Sequence, residues 1–355
     1  MLEPGTVITL ELGHYRLREQ IAGSSYGLVW RADGPRAGQQ VALKLINHEQ
    51  MACADAHQRA RWVESAQKEI AFLQSLAPWD ERHIVRLLDQ GEHAGLPVMA
   101  LELLSGDLAR HVNSARVAGR LIALPQILDW LGQINQALAK VHQYGWRYLD
   151  LKPANVLLDA HTGTLKLADF GTNRLLAEHL HSYAGTANWQ APEQFFPAHQ
   201  HSYDTDARTD YFALGAMFYY LVTGGLALRF CGDCGQAYRA HQGAGAQVLQ
   251  RQYRDCMPPT LRPDEAALFT HRIDQQLRDA ELPHRPRQGK NSIGADALSM
   301  LRQLLSAERE GRPQHAIDIS RMIAAIRADI DQPSPGLARR APAPSQACAP
   351  LRHLR

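Results

Sequence analysis

Three polar residues stand in a short segment between two apolar runs of the sequence. The segment WRYLDLKPANVLLD, residues 146–159, contains Asp150, Lys152 and Asn155. A second apolar run, LKLADFG, follows and ends in Asp169 before a Phe-Gly pair. If the two runs pair as a β-hairpin, Asn155 and Asp169 come close together. Their amide oxygen and carboxylate are hard oxygen ligands of the kind that Mg²⁺ prefers.

These residue types fit the transfer of a phosphoryl group. Asp150 could accept the proton of an incoming hydroxyl, and Lys152 could neutralise charge on the transferring group. The spacing of Asp150, Lys152 and Asn155 is weak by itself, because acids, lysines and amides occur together on many protein surfaces. The elements that would position these residues must therefore support the interpretation.

Strand-like and helical patterns divide the chain into two parts. Residues 15–100 contain short alternating or β-branched segments separated by Gly and Pro clusters, which are typical of strands. One helical stretch, ARWVESAQKEIAFLQSL, interrupts them. Residues 109–330 carry mostly helical patterns, including DYFALGAMFYYLVTGG, which is apolar nearly all round and predicts a buried helix. The sequence predicts an α+β protein with a small β-rich lobe, a hinge at 101–108 and a larger helical lobe.

Composition limits the class of protein. The 355 residues are 45% hydrophobic and 21% charged, with a net charge of +2, so we expect no nucleic-acid partner. No apolar run approaches the ~20 residues that a membrane-spanning helix needs. The N-terminus lacks the pattern of a signal peptide, and the five cysteines argue against a disulfide framework. We therefore expect a soluble, cytoplasmic protein.

The two ends of the chain lie outside the predicted lobes. Residues 1–14 are interpreted as an N-terminal extension. Residues 331–355 are rich in Pro, Ala, Ser and Arg and cannot bury much apolar surface, so the sequence predicts a disordered tail there.

The motifs together resemble those of the eukaryotic-like (Hanks-type) serine/threonine protein kinase superfamily, in that family's order. VALK, residues 41–44, is similar to the family's V-A-I-K, and YLDLKPAN is similar to H-R-D-x-x-x-x-N. DFG at 169–171 and APE at 191–193 follow. The resemblance covers about residues 15–325 and implies a two-lobed kinase fold that uses ATP and Mg²⁺.

The resemblance also implies which residues bind the nucleotide. Lys44 would contact the α and β phosphates, and Glu69, on the helical stretch that follows, would pair with Lys44. Ala42 would form part of the ceiling over the adenine. Glu102 and Leu104 would lie on the hinge, where backbone groups can bond the purine.

A glycine-containing segment resembles the loop with which kinases cover the phosphates. IAGSSYGLVWRA, aligned on Gly27 and Val29, follows the family pattern G-x-G-x-x-G-x-V. Ala22 stands at the first glycine and Ser24 at the second, so only the third glycine is kept. Glycine there lets backbone N–H groups approach phosphates without a Cβ atom in the way. Taken alone, the segment could equally be an ordinary hairpin turn.

The catalytic segment departs from the family at two positions. Tyr148 replaces a histidine that packs beneath the Phe of DFG, and an amphipathic tyrosine can substitute with adjusted packing. Leu149 replaces an arginine that holds a phosphate on the activation segment, residues 169–193. The residues of the chemistry are intact, so we expect altered regulation and an activity that does not depend on phosphorylation of that segment.

Three further residues match supporting positions of the family. The resemblance implies that Asp210 binds the backbone of the catalytic loop and that Arg312 pairs with the APE glutamate, Glu193. Thr186 would contact both Asp150 and Lys152, as in serine/threonine kinases. Lysine at position 152 is itself typical of kinases with that specificity.

One segment fits no part of the family pattern. An insertion near 226–290 contains CGDCGQAY, with Cys231 and Cys234 at C-x-x-C spacing. Two thiolates can bind structural Zn²⁺ if other ligands complete the site, and His241 and Cys256 lie downstream. The alternatives are two partly buried cysteines in a Gly turn, or a redox pair.

The sequence thus predicts a serine/threonine protein kinase that transfers the γ-phosphoryl group of ATP to protein substrates. The alternative from another class is a pseudokinase, a scaffold that binds nucleotide or partners without turnover. A small-molecule phosphotransferase is disfavoured by the full activation segment and the APE element.

Overall fold

The structure is a computed structural model of the protein. It describes residues 2–23, 27–178, 180–182, 184–199, 202–280, 282 and 292–331.

The small lobe is built on a six-stranded antiparallel sheet with strand order β1-β2-β3-β4-β6-β5. Its strands are β1 (Val7–Thr9), β2 (His14–Gly23), β3 (Gly27–Asp33), β4 (Gln40–Ile46), β5 (Leu87–His93) and β6 (Leu96–Glu102). Two helices, α1 (His48–Cys53) and α2 (Ala56–Ser75), lie between β4 and β5. Asp55 caps α2 by accepting a hydrogen bond from the Gln58 N–H at 2.8 Å.

The N-terminal segment packs into this lobe. β1 pairs with β2, with Val7 opposite Arg16, so residues 7–9 form an edge strand of the sheet. Ile8 and Tyr15 are buried in a core cluster beneath it. The Tyr15 hydroxyl donates to Asp89 Oδ2 at 2.9 Å, which ties the start of β2 to β5.

The large lobe is mainly helical. Its helices are α3 (Leu108–Val117), α4 (Leu124–Gln143), α5 (Pro192–Phe195), α6 (Ala207–Val222), α7 (Arg229–His241), α8 (Gly245–Gln252), α9 (Pro263–Asp279), α10 (Ile293–Leu304) and α11 (Ala316–Asp331). Its short strands are β7 (Gly106–Asp107), β8 (Trp146–Arg147), β9 (Val156–Asp159), β10 (Thr164–Leu167), β11 (Arg174–Leu175), β12 (Leu180–His181) and β13 (Tyr203–Asp204).

Helix α6 forms the centre of the large lobe, as its uniformly apolar sequence predicts. Nearly all of its side chains are buried, and it contacts α4, α9 and α10. No helix in the described ranges is both long and apolar enough to cross a membrane. The predicted α+β architecture, a β-rich lobe followed by a helical lobe, is confirmed.

The cysteine segment is a helix and not the Gly turn that we considered. Cys231 and Cys234 lie on α7, one turn apart, and are 1% and 0% exposed. Together with Phe230 and Ala237 they form an apolar stripe that faces the main core. Burial of this stripe outweighs the weak helix propensity of the glycines between them.

The zinc site is not supported. Within the part of the chain that the structure describes, no group of three or more His, Cys, Asp or Glu side chains could hold a metal ion. Burial raises the pKa of Cys231 to about 12 and raises the pKa of Cys234 as well. Both thiols therefore stay protonated at neutral pH and act as small apolar side chains.

Candidate active site

The cleft between the lobes contains a partly buried ion cluster. Lys44 on β4 donates to Glu69 Oε2 on α2 at 2.7 Å and to Asp169 Oδ1 at 2.8 Å. Burial alone would lower the pKa of Lys44, but the charges of Asp169 and Glu69 outweigh it and raise the pKa. Lys44 is therefore an ammonium at neutral pH, and α2 is fixed against the sheet.

Asp169 occupies a strained position where the strand β10 has ended. Its φ is +62°, in the left-handed region that costs a non-glycine residue about 1–2 kcal/mol. The side chain is 49% exposed to the cleft. The Lys44 ammonium lowers the pKa of Asp169, although burial opposes this effect. The backbone thus aims an ionised carboxylate into the cleft.

The segment around Asp169 is anchored by helix α2 of the small lobe. Phe170 is fully buried, with its ring centroid 4.7 Å from that of Phe72 on α2. The Ser65 hydroxyl, also on α2, donates to Gly171 O at 2.8 Å. Helix α2, which is fixed against the sheet, therefore also holds the DFG segment in place.

The predicted hairpin is confirmed. β9 and β10 pair antiparallel, with Val156 opposite Leu167. The Ala168 N–H donates to Asn155 O at 2.9 Å, one residue beyond the ladder. This pairing brings Asn155 and Asp169 to the same end of the hairpin.

Asp150 is the centre of a polar network in the catalytic loop. It is buried, and its Oδ2 accepts from Lys152 Nζ at 2.7 Å and from Asn155 Nδ2 at 2.9 Å. Its Oδ1 accepts from the Thr186 hydroxyl at 2.6 Å. Burial raises the pKa of Asp150, and the Lys152 ammonium opposes that rise. The expected contact of Thr186 with both Asp150 and Lys152 is present, since Lys152 Nζ also donates to Thr186 Oγ1 at 2.7 Å.

A second buried carboxylate holds the backbone of this loop. Asp210, at the start of α6, accepts from the N–H groups of Tyr148 at 2.9 Å and Leu149 at 2.7 Å. His142 Nε2 lies 2.8 Å from Asp210 Oδ2. Leu149 has a φ of +64°. The two N–H bonds help to hold that strained turn, which directs the Asp150 side chain.

Tyr148 fills the position of the family histidine with the packing adjustment that we expected. Its ring meets Phe170 edge-on at 5.2 Å between centroids. Its hydroxyl donates to Ala168 O, just before the DFG segment. Burial raises the pKa of Tyr148 far above its ordinary value, so the hydroxyl stays a donor.

Arg312 and Glu193 form the expected ion pair. The two guanidinium nitrogens Nη1 and Nη2 donate to the two carboxylate oxygens at 2.6 and 2.8 Å. The Arg312 side chain is 0% exposed. Such a bidentate, buried pair fixes the end of the activation segment to the base of the large lobe.

The nucleotide-binding candidates Ala42, Glu102 and Leu104 lie on β4, on β6 and in the connection after β6. Ala42 on β4 is paired with Leu101 on β6 and is nearly buried. Glu102 ends β6, and its N–H donates to Arg86 O at 3.0 Å, which ties the start of the hinge to the residue before β5. Leu104 follows in the connection to β7.

The strands of the predicted phosphate loop are those of the β2–β3 hairpin. Ala22 pairs with Val29, and Gly27 begins β3 opposite Ile46 of β4. Ser24 lies outside the described residues. A Cβ atom on Gly27 would lie 3.3 Å from Leu45 O, a tight contact that favours glycine at this position.

Two charged residues with structural roles at the site were not predicted from the sequence. Lys166 on β10 donates to Glu102 Oε1 at 2.6 Å and thereby links the hinge to the strand that leads to Asp169. Arg147 on β8 is fully buried. Lys166 lies between the buried residues Leu165 and Leu167, so its side chain lies on the opposite face of β10. The sequence does not indicate which residue it pairs with.

Helix α7 lies against the segment that follows Thr186. Arg239 Nη1 donates to Asn188 Oδ1 at 3.1 Å. Gly235 is closely packed, because an added Cβ atom would lie 1.6 Å from that same Asn188 oxygen. The insertion thus packs against the part of the activation segment that follows Thr186.

The residues of the cleft fit Mg²⁺ and ATP. The Asn155 NH₂ group is turned to Asp150, which leaves the amide oxygen as the ligand end. Asp169 presents a half-exposed carboxylate at the same end of the hairpin. Oxygen ligands of these two types suit Mg²⁺, and the Lys44 ammonium lies beside them as a partner for phosphate.

This fold and this site together define a protein kinase domain. The chain belongs to the protein kinase domain family, whose family model matches residues 15–319.

Curated relatives agree with this assignment at modest identity. Serine/threonine-protein kinase PknA of Mycobacterium tuberculosis is 28% identical over 272 residues, which cover 74% of this chain and 56% of PknA. Cyclin-dependent kinase B2-1 of Arabidopsis thaliana is 29% identical over 231 residues, covering 62% of this chain and 69% of that protein. The chain therefore spans about half the length of PknA.

Proposed function

We propose that the protein is a serine/threonine protein kinase that transfers the γ-phosphoryl group of ATP to hydroxyls of protein substrates. The observation that carries the proposal is the assembled cleft: Lys44 bonded to both Glu69 and Asp169, beside Asp150 bonded to Lys152. In phosphoryl transfer the protein contributes mainly positioning and charge stabilisation. This arrangement provides both without further rearrangement of α2.

Asp150 is proposed to receive the substrate hydroxyl. A carboxylate has about four acceptor sites, and Lys152, Asn155 and Thr186 use three of them. The remaining site can accept the hydroxyl proton as the substrate oxygen bonds to the γ-phosphorus. At the same time the bond from that phosphorus to the β,γ-bridging oxygen breaks, and ADP leaves.

The cations of the cleft are proposed to stabilise the charge of the phosphates. Lys44, held by Glu69, would meet the α and β phosphates, and Lys152 would meet the γ-phosphoryl group. Asn155 and Asp169 would hold Mg²⁺, which neutralises phosphate oxygens when bound. Because Lys44 already touches Asp169, the lysine and the metal ligand are positioned together.

The preference for serine and threonine rests on Lys152 and Thr186. Together with Asp150 they form a closed triangle of hydrogen bonds. This triangle joins the catalytic loop to the segment on which a substrate would lie. The relatives whose names specify serine/threonine kinase activity support the same choice. The cytoplasm stays the proposed location, on the basis of the cysteine content.

A pseudokinase is the alternative that one observation favours. Ala22 occupies the first glycine position of the phosphate loop, on strand β2 opposite Val29. Its side chain could weaken ATP binding. The ion cluster and Asp150 favour catalysis, because these residues would have no reason to be assembled for partner binding alone.

We also propose that activity does not require phosphorylation of the activation segment. Leu149 is buried where the family has a phosphate-binding arginine. The Thr172 hydroxyl donates to Tyr148 O at 3.3 Å, and Thr186 is engaged with Asp150. The strand pairs β8–β11 and β12–β13 hold the segment at two places through backbone bonds.

Expression together with a phosphatase tests this part of the proposal. Mass spectrometry should first confirm that residues 172–186 carry no phosphate. We then expect a linear time course of peptide phosphorylation from the first turnover, since the segment is held without a phosphate. A rate that starts near zero and rises with phosphate on Thr172 or Ser182 would show that the segment needs modification.

A further inference from the structure

Arg147 is a buried cation that the chemistry of the cleft does not use. It immediately precedes Tyr148 and has no exposed surface. Its Nη1 donates to Thr205 O at 2.5 Å, and its Nη2 donates to Glu178 O. A buried charge is costly unless it is hydrogen-bonded. Both of these acceptors are main-chain carbonyls, which are always present.

The two acceptors belong to separate parts of the large lobe. Glu178 lies in the activation segment, between β11 and β12. Thr205 lies between β13 and α6, close to the Asp206 cap of α6. The Arg147 guanidinium therefore joins three pieces of the chain: the entry to the catalytic loop, the activation segment and the base of the lobe.

Other contacts in the same place hold the same segment. Arg174 on β11 is directly opposite Arg147 on β8. His181 on β12 places Nε2 2.7 Å from Thr205 Oγ1, and Leu180 pairs with Asp204 on β13. Arg147 therefore bonds the main-chain carbonyl of Thr205, and His181 contacts the hydroxyl of the same residue. Both contacts tie the activation segment to the base of the lobe.

The surroundings favour a charged guanidinium at this position. Burial lowers the pKa of Arg147, and the carboxylates of Asp210, Glu178, Asp206 and Asp204 oppose that shift. An arginine retains its charge under such conditions because its pKa in water is very high. Charged donors form stronger hydrogen bonds to carbonyls than neutral donors do.

We propose that Arg147 is the positioning residue that orders the activation segment, in place of the phosphate-binding arginine whose position Leu149 occupies. This inference rests on the proposed kinase function. In this proposal the main-chain carbonyl of Glu178, which is always present, accepts the hydrogen bond that a phosphate on the segment would otherwise accept. Thr186, further along this segment, contacts Asp150, and we infer that the residues around it form the platform for a peptide. Arg147 therefore controls how well a peptide substrate binds.

The Arg147→Met variant tests this role. Methionine has a similar length but cannot donate to the carbonyls of Thr205 and Glu178. If the activation segment is ordered for only a fraction of the time, the KM for peptide rises in inverse proportion to that fraction. We expect the KM to rise by about tenfold. The KM for ATP should stay within about twofold of wild type, because the Lys44 cluster is untouched.

Hydrogen exchange gives a readout that does not depend on turnover. Amides of residues 174–182 should lose protection in Arg147→Met, whereas those of α6 should keep it. A purely structural role would instead lower the melting temperature and the active fraction, with both KM values unchanged. Arg147→Lys keeps one donor group and should recover part of the peptide affinity.

Arg174→Met is the matched control. It removes a cation from the same strand pair, but the Arg174 guanidinium donates to Thr172 O and Asn173 O, within its own segment. We expect Arg174→Met to have KM values and amide protection in residues 174–182 close to those of wild type. If Arg147→Met keeps wild-type protection in 174–182, the inference is wrong, whether or not the protein transfers phosphate. If wild type shows no transfer while Arg147→Met loses that protection, the kinase proposal fails and the ordering role of Arg147 stands.

Discussion

The Asp150→Asn variant is expected to transfer phosphate at least about 100-fold more slowly than wild type. An amide has the shape of the carboxylate but cannot take the proton of the substrate hydroxyl. Asn155 donates to Asp150 Oδ2 and Lys152 donates to the same oxygen, so both contacts can persist if the new amide oxygen faces them. The affinity for ATP with Mg²⁺, measured by calorimetry, should change little.

Asp159→Asn is the matched control for this substitution. Its carboxylate ends β9 and accepts from its own turn, from the Thr162 hydroxyl and the His161 N–H. This control should transfer phosphate at the wild-type rate. An Asp150→Asn protein that also keeps the wild-type rate would show that Asp150 is not the proton acceptor.

The Asp169→Ala variant is expected to lose phosphoryl transfer by at least about 100-fold. The carboxylate is proposed to hold Mg²⁺, and alanine supplies neither its charge nor an oxygen ligand. The fold should stay intact, because Lys44 remains paired with Glu69 when Asp169 is removed. Nucleotide binding should also lose its dependence on Mg²⁺, which calorimetry with and without the metal can measure.

Asp169→Asn separates charge from backbone strain in this test. Asparagine tolerates a φ of +62° better than alanine does and keeps an oxygen ligand, but it carries no charge. We expect Asp169→Asn to fold with wild-type stability and still bind Mg²⁺–ATP weakly. Wild-type rates in both variants would contradict the assignment of Asp169 as a metal ligand.

The candidate catalytic and metal-binding residues could be predicted because their types and their order along the chain match the motifs of the family. Lys44, Glu69, Asp150 and Asp169 stand at family positions, and the expected pair of Lys44 with Glu69 is present in the structure. Asp210 could be placed on the catalytic loop for the same reason.

The role of Arg147 could not be predicted in this way. Its partners are main-chain carbonyls of residues 31 and 58 positions away, and a carbonyl is the same for every residue type. Lys166 pairs with Glu102 because the fold places the hinge beside β10. The sequence does not show that the two segments are neighbours. The helix around the cysteines could not be predicted either, because the flanking glycines favour a turn locally and the core that covers α7 is not visible in the sequence.

Transfer of label from γ-labelled ATP to a generic protein substrate tests the kinase proposal most directly. The full chain should be incubated with Mg²⁺, and the labelled amino acids should be identified after hydrolysis of the product. We expect label on serine and threonine, none on tyrosine, and no transfer above background by Asp150→Asn. Binding of Mg²⁺–ATP by the wild-type protein without any transfer would contradict the proposal and favour a pseudokinase.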